Sequence, residues 1–528
     1  MNISRVVVIL LSVLAMASFV CVESAGAGAA PKVRQPGVAG SFYPADAKEL
    51  AKAVDGFLAQ AAPPPLEHVV AIVAPHAGYT YSGPVAAWSY KLLKGRKPHR
   101  VVVIAPSHYE AFHFSSVYDG AAYATPLGEV PVDQAFAAKL AKMSPEIRLS
   151  DAGHRPLNDR AEHALEVQLP FLQRTLGDFQ LVPIVMGDQS YESSRALGVA
   201  LARLSEGTDT LIVASSDLSH YHTYQEAVRL DRKTLHAVET FDYLNLSRNF
   251  EQQVWEACGG GPIVAAMIAA ERLGAGQAKL LKYANSGDLT GDRTRVVGYG
   301  AVALVEGAPK AGPTLSLSRQ EKDALLDIAR KSVESAVRDH KLCECLSSRE
   351  ALQEDRGAFV TLTKAGELRG CIGYVAPTEP LYLTVRDAAM MAALRDTRFP
   401  PVTAKELPAI QYEISVLSPM QHVLDVREIR VGQHGLLIRK GGREGLLLPQ
   451  VALDEGWDRV TFLEELCVKA GLPRQAWLDA GADLFRFTAL VFGARPPVQA
   501  QVPGPLETPA KWPSGPEPGS PARSTGPF

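Results

Sequence analysis

Apolar positions along this chain follow two rhythms, and the rhythm changes once. Between residues 34 and 305, short β-branched runs alternate with segments of helical spacing, the pattern of an α/β sheet. Strands are expected at 68–73, 101–104, 211–214 and 280–283. The apolar run 263–268 reads as a helix, with Pro262 suited to its first turn. From residue 316 the pattern shifts. A charged amphipathic helix is expected over 317–337, with Leu325, Ile328, Ala329 and Val333 near helical spacing. Strands 358–363 and 368–373 flank a turn at Lys364-Ala365-Gly366-Glu367. A helix over 381–394, a strand over 412–417, a hairpin pair at 435–438 and 445–448 and a helix over 461–470 complete an α+β order.

The segment Glu306-Gly307-Ala308-Pro309-Lys310-Ala311-Gly312-Pro313 separates the two rhythms and marks a domain boundary. The expected division is a first domain at 31–306, a linker at 307–315 and a second domain at 316–495. Before them, Arg5 precedes an apolar run over 6–22 and a small-residue stretch from Ser24 to Ala30. That order reads as a secretory signal over residues 1–30. The run is shorter than the roughly 20 apolar residues a membrane span needs, so no transmembrane helix is expected in the mature chain. The expected location is therefore exported, periplasmic or extracellular; without a signal it would be cytoplasmic. Lipidation at Cys21 is a minor option. Residues 496–528 hold ten prolines and read as a disordered tail, too poor in apolar residues to offset ordering entropy.

Composition narrows the class. With 528 residues, 47% hydrophobic and a net charge of -3, wholesale disorder and a broad phosphate-binding surface are both excluded, and no nucleic-acid partner is expected. Six cysteines are too few for a disulfide scaffold. Removing the signal leaves five, an odd number that intramolecular pairing cannot exhaust.

Several strands deliver chemistry at their carboxyl ends, where open α/β sheets place ligands. The first runs into Pro75-His76-Ala77-Gly78-Tyr79, the second into Pro106-Ser107-His108 and the third into Ser215-Ser216-Asp217-Leu218-Ser219-His220. If these strands are parallel neighbours, His76, His108, Asp217 and His220 converge. Cys258 precedes Gly259-Gly260-Gly261-Pro262 at a helix start, where a lowered thiol pKa would favour metal binding or nucleophilic attack. A small buried cysteine at a tight turn is the alternative. Glu162-His163-Ala164-Leu165-Glu166 reads as helical, with Glu162, His163 and Glu166 sharing a face. It is either a polar wall of the crevice or a solvated helix edge. Cys343-Glu344-Cys345, close to His340, is a weak metal clip, and Cys467 reads as core.

These motifs, with Pro36-Gly37-Val38-Ala39-Gly40-Ser41-Phe42-Tyr43-Pro44, resemble the Memo family over about 34–305. The resemblance implies an α/β fold like that of the class III, LigB-type non-haem iron dioxygenases. It implies iron or copper, with zinc a weaker option, on His76, His108 and Cys258. Asp217 and His220 would be catalytic, and Glu162, His163, Tyr79 and Ser107 would contact substrate. Two imidazoles and a thiolate suit Cu, Fe or Zn rather than Mg or Ca. A cysteine in place of the usual facial-triad carboxylate favours a redox role over ring cleavage.

In the second half, Leu368-Arg369-Gly370-Cys371-Ile372-Gly373, Asp396-Thr397-Arg398-Phe399-Pro400-Pro401-Val402 and Leu448-Pro449-Gln450-Val451-Ala452 resemble the AMMECR1 domain. Gly370 and Gly373 would let a ligand or backbone approach closely, Arg369 would pair with an anion, and Cys371 would act as a nucleophile. A tightly packed glycine strand with a half-buried cysteine explains the same residues. The fused order resembles the AmmeMemoRadiSam system, which implies a radical SAM partner; export would conflict with a cytosolic one. Three functions are left standing. One is a metal-dependent, oxidoreductase-like enzyme acting on a small molecule or peptide, with the second domain recognising substrate or partner. Another is a metal-binding adaptor docking a peptide. The last is a metal-independent hydrolase using Cys258 or Cys371.

Overall fold

The computed structural model describes residues 32–158, 160–307, 315–376 and 378–493. The signal segment, the Pro-rich tail and most of the linker lie outside the described residues. Among the described residues, no helix is long and apolar enough to cross a membrane.

The first domain is built on a nine-stranded sheet. Its middle holds four parallel strands: β1 (Val69–Ala74), β2 (Arg100–Pro106), β3 (Gln180–Met186) and β4 (Thr210–Ser215). β4 lies between β1 and β2, and β3 flanks β2. Nearly every residue of these strands is buried, because helices cover both faces, and near-continuous Val, Ile and Leu is what such strands require. Beside β1 runs the antiparallel β5 (Val296–Glu306). The strand expected at 280–283 is longer, Ala275–Asn285, and pairs with β5 rather than with the parallel strands. Its end therefore stands outside the central crevice. There Asn285 and Asp288 form a capping box for a short helix over Ser286–Thr290.

Two helices matter for the site. α1 (Tyr191–Ser205) begins just after β3, and α2 (Gly260–Arg272) begins just after Cys258. They pack along one another, and α2 also packs beneath β4 and β2. The helix expected at Glu162 starts later. Glu162 and His163 are in a loop, a single 3-10 turn spans Glu166–Gln168, and the α-helix is Leu169–Leu176. The backbone N–H groups of His163 and Ala164 donate to the Glu162 carboxylate at 2.9 and 3.0 Å. A side chain that takes these amides competes with helix formation.

The second domain contains two four-stranded sheets. One joins Glu367–Tyr374, Ala358–Lys364, Ile410–Leu417 and Ala489–Gly493. Helices Arg319–Arg338 and Leu381–Leu394 contribute to its core. The first of these starts at a capping box in which Ser318 and Glu321 satisfy each other's backbone N–H, so it begins two residues later than the apolar spacing implied. The other sheet joins Gln421–His422, Asp483–Phe487, Gly435–Lys440 and Arg443–Leu447, with helix Arg459–Lys469 against it and Cys467 in the core. Cys343 and Cys345 form a disulfide, which corrects the metal-clip reading because the paired sulfurs have no thiolate to offer.

Apolar packing does not stop at the domain boundary. One cluster holds Ile212, Leu244 and Ile268 of the first domain with Leu417, Leu437, Phe485 and Phe487 of the second.

Candidate metal centre

His76 follows β1, His108 follows β2 and Asp217 follows β4. Since β4 is the middle strand of the three, the two histidines flank Asp217. Cys258 reaches the same point from the start of α2. Gly259 makes that approach feasible: a Cβ there would sit 2.2 Å from the Ser215 carbonyl oxygen. The Cys258 Sγ lies 3.0 Å from His76 Nε2 and accepts from the Asp217 N–H at 3.3 Å. The ligand atoms of His76, His108 and Cys258 all lie within 4.8 Å of one another, a spread that suits one shared ion with metal–nitrogen bonds near 2.0 Å and metal–sulfur bonds near 2.3 Å, all approximate.

The orientation of each imidazole is decided by its other nitrogen. His108 Nδ1 is 2.9 Å from a Glu162 oxygen. Burial opposes the Glu162 charge, yet the bonds from His108 and the nearby amides hold its pKa down at about 2. It is therefore an acceptor only, and His108 Nδ1 must carry the proton. His76 Nδ1 is 2.9 Å from the Ser215 hydroxyl oxygen. Ser215 donates to the Ala164 carbonyl at 2.6 Å and accepts from Gln168 at 2.7 Å, so it receives the His76 proton too. His220 Nδ1 is 2.8 Å from the Leu218 carbonyl oxygen, again an acceptor only. All three rings thus keep their Nε2 lone pairs available, the arrangement metal-ligating histidines adopt.

Two other groupings of ligand-type residues share members with this one. Asp217, His220 and Cys258 form a second group, sharing Cys258, whose ligand atoms lie within 4.8 Å of one another. One Asp217 oxygen accepts from the His76 and Ala77 amides at 2.7 and 3.3 Å. Burial raises its pKa to about 6, against these bonds. In the grouping of His108, Glu162 and His163, Glu162 already accepts from the His108 amide, the His108 ring and the amides of His163 and Ala164. It braces His108 rather than offering itself as a ligand.

Other expectations need correction. Burial, reinforced by the Asp217 charge, pushes the Cys258 thiol pKa well up, not down; desolvation outweighs the helix terminus. Tyr79 is buried and donates to the Val167 carbonyl at 2.7 Å among Tyr43, Phe57 and Phe171, so it supports the core instead of meeting a ligand. The Ser107 hydroxyl donates to the Glu110 carbonyl. His163 does face the centre, stacked on His108 at 4.7 Å and tilted against Phe42 at 4.3 Å. Its Nδ1 is buried without a hydrogen-bond partner, and burial lowers its pKa to about 3. Glu166 is no solvated edge. It is fully buried, ion-paired with Arg34 and bonded to the amides of Gly37 and Val38.

Ser215, Gln168 and Gln189 are functional neighbours that strand-and-motif reasoning passed over. Gln189 donates to the Cys258 carbonyl at 3.0 Å and accepts from the Gly261 amide at 2.8 Å. Their sequence signal is faint: Ser215 directly follows an apolar run, Gln168 directly precedes one, and Gln189 sits in a polar turn three residues after one.

A family model described as Memo-like protein matches residues 34–303, just over half of the chain. The chain belongs to the Memo family. A model described as AMMECR1 matches residues 326–492, so the two domains stand in one chain. The Memo domain is 41% identical over 286 residues to a MEMO1 family protein of Aeropyrum pernix, covering 52% of this chain and 100% of that relative. A MEMO1 family protein of Nitrosopumilus maritimus is 34% identical over 279 residues, covering 52% of this chain and 100% of its own length. A crystal structure of an uncharacterised protein from Pyrococcus horikoshii shares 39% identity over 32% of this chain and 89% of that one, with a TM-score of 0.31.

The AMMECR1-domain motif is assembled differently. Arg369 is not free for an anion: it pairs with Glu406 at 3.1 Å and donates to the carbonyls of Pro400 and Pro401. Cys371 has its thiol pKa raised by burial, contrary to a nucleophile's need. Its amide donates to Asp396 at 2.8 Å, which Arg398 also holds. At Gly370 a Cβ would stand 2.1 Å from the Ala392 carbonyl oxygen, and at Gly373 it would meet the Phe359 ring. These glycines let a strand pack against helix Leu381–Leu394 and a neighbouring ring.

Proposed function

We propose that this Memo-family protein is a metal-dependent redox protein, with iron or copper held by His76, His108 and Cys258. The observation that carries this is the shared orientation of the imidazoles. Each Nδ1–H is committed to an acceptor, and the Nε2 atoms of His76 and His108 are left to meet Cys258 Sγ. A thiolate with two imidazoles selects soft or borderline transition ions over Mg and Ca. When bound, iron or copper supplies one-electron chemistry. In this reading Asp217 holds a proton near the centre, and His163 contacts a substrate beside His108.

The high thiol pKa of Cys258 argues against metal-independent hydrolysis, since a neutral thiol is a poor nucleophile. A metal cation reverses that cost by replacing the proton. The position of the site at the carboxyl ends of parallel strands supports kinship with LigB-type dioxygenases, with Cys258 where a carboxylate is usual. The apolar run over 6–22 supports export, which fractionation of the full-length chain tests. A radical SAM partner is tested by co-purification.

The decisive experiment is anaerobic purification with elemental analysis of wild type, His76→Ala, His108→Ala and Cys258→Ser. Each variant is expected to lose most of the bound iron or copper. Unchanged metal content in all three would falsify the assignment. Metal-dependent oxidation of a small phenol or thiol supports the redox reading. Peptide binding that survives metal removal, without turnover, supports an adaptor instead.

A further inference from the structure

The Cys258 segment is gripped at one point, and the grip leads to the other domain. Gln189 holds the Cys258 carbonyl and the Gly261 amide together, two residues before α1 begins. From there α1 presents Tyr191, Glu192 and Arg195 to the AMMECR1 domain. Tyr191 donates to Asp483 at 2.8 Å, Arg195 pairs with the same carboxylate, and Arg439 donates to Glu192 at 2.9 Å while lying over the Tyr191 ring. α2 runs about 20 Å at 1.5 Å per residue. Its first turn follows Cys258. Its last turn places Arg272 3.6 Å from Asp483 and Glu271 3.1 Å from His422.

Asp483 is 2% exposed, so it receives these partners away from water, where an unpaired charge is costly and the arrangement is well specified. Both helices that frame Cys258 are thus pinned by one buried residue of the AMMECR1 domain. The apolar cluster shared by the two domains surrounds the same helices. Two further ion pairs cross between the domains, Lys233 to Asp355 from helix Tyr224–Glu239 and Arg248 to Glu444 from helix Tyr243–Glu251, and neither helix carries a candidate ligand.

We propose that the AMMECR1 domain is a structural part of the Memo metal centre: Asp483 and Gln189 act as positioning residues that hold Cys258 against His76 through α1 and α2. The metal part of this statement rests on the function proposed above; the positioning of Cys258 does not. The coupling is physical, since a packed helix moves as a rigid element: α2 runs from Cys258 to Asp483, and the first turn of α1 follows Gln189 directly and carries Tyr191 and Arg195 onto the same carboxylate.

Two readouts on the full-length protein test it. In metal-free protein, the rate of Cys258 alkylation by iodoacetamide, followed by peptide mass spectrometry, reports how the thiol is held. In cobalt-loaded protein, the thiolate charge-transfer band reports the centre and gives its affinity. Gln189→Ala and Asp483→Asn are expected to speed alkylation and to weaken cobalt binding about tenfold, the usual scale for residues behind a metal ligand. Lys233→Ala, which loosens the interface elsewhere, is expected to change neither. The proposal is overturned if Asp483→Asn leaves the alkylation rate at its wild-type value, or if Lys233→Ala raises it equally. Should Asp483→Asn fail to fold, Tyr191→Phe removes one hydroxyl from the same carboxylate and is judged by the same two outcomes. If wild type takes up no cobalt while the variants still differ in alkylation, the metal reading fails and the positioning stands.

Discussion

The Memo centre and the AMMECR1 motif make an instructive pair. The first gathers histidine-, acid- and cysteine-bearing segments at strand ends, the second gathers arginine-, acid- and cysteine-bearing segments along the strand Glu367–Tyr374, and both look like sites when read as motifs. In the AMMECR1 motif the polar groups consume one another: Arg369 with Glu406, Arg398 with Asp396, Asp396 with the Cys371 amide. In the Memo centre the supporting groups consume only one side of each ring, and the other side faces shared space. A site is recognised by which lone pairs remain after the hydrogen bonds are assigned.

The largest expected effect is at Cys258. Cys258→Ser should reduce copper or iron affinity by more than the roughly 10–100-fold typical of losing a residue that only supports a metal ligand, whereas Cys371→Ser should leave metal content unchanged; elemental analysis of both compares the regions directly. Next is Glu162→Gln. Its amide can no longer act as an acceptor-only partner for His108, and affinity should fall about tenfold or more, read by competition with a chelator. On the AMMECR1 side, Gly370→Ala should destabilise by about 1–3 kcal/mol through overpacking against Ala392. Denaturant unfolding reads it, and metal content should not move. Arg369→Ala should cost about 1 kcal/mol, since Lys364 and Thr403 still hold Glu406.

The smallest effect is with pH. The folded Glu162 pKa of about 2 lies below the ordinary carboxylate value. The stability it contributes is therefore complete above the unfolded pKa and lost as pH falls toward the folded one. Glu162→Gln should flatten the acid limb of a stability–pH curve below about pH 4. An unchanged limb would show that the Glu162–His108 bond contributes little.

Much of the fold was legible. The helix over Leu381–Leu394 occupies the same residues as its apolar run, and the hairpin turns at Ala365-Gly366, both at the positive φ that a two-residue primed turn requires. The loop at Glu162 was not, because spacing counts positions and cannot weigh a carboxylate that captures the next amides. The Cys258 thiol misled for a related reason. A helix start is visible in the chain, but the burial that overrides it is not.

By itself, the sequence determined the two domain rhythms, the strand ends that carry His76, His108 and Asp217, and the family to which the chain belongs. Those depend on local periodicity and on motifs contiguous in the chain. Tertiary structure alone decided that β4 lies between β1 and β2, so that the histidines converge, and that Glu162 and Ser215 take the Nδ1 protons. It alone brought Asp483 onto the helices behind Cys258. Each of these pairings joins residues far apart in the chain, and only the packed structure fixes which lone pairs are spent and which remain.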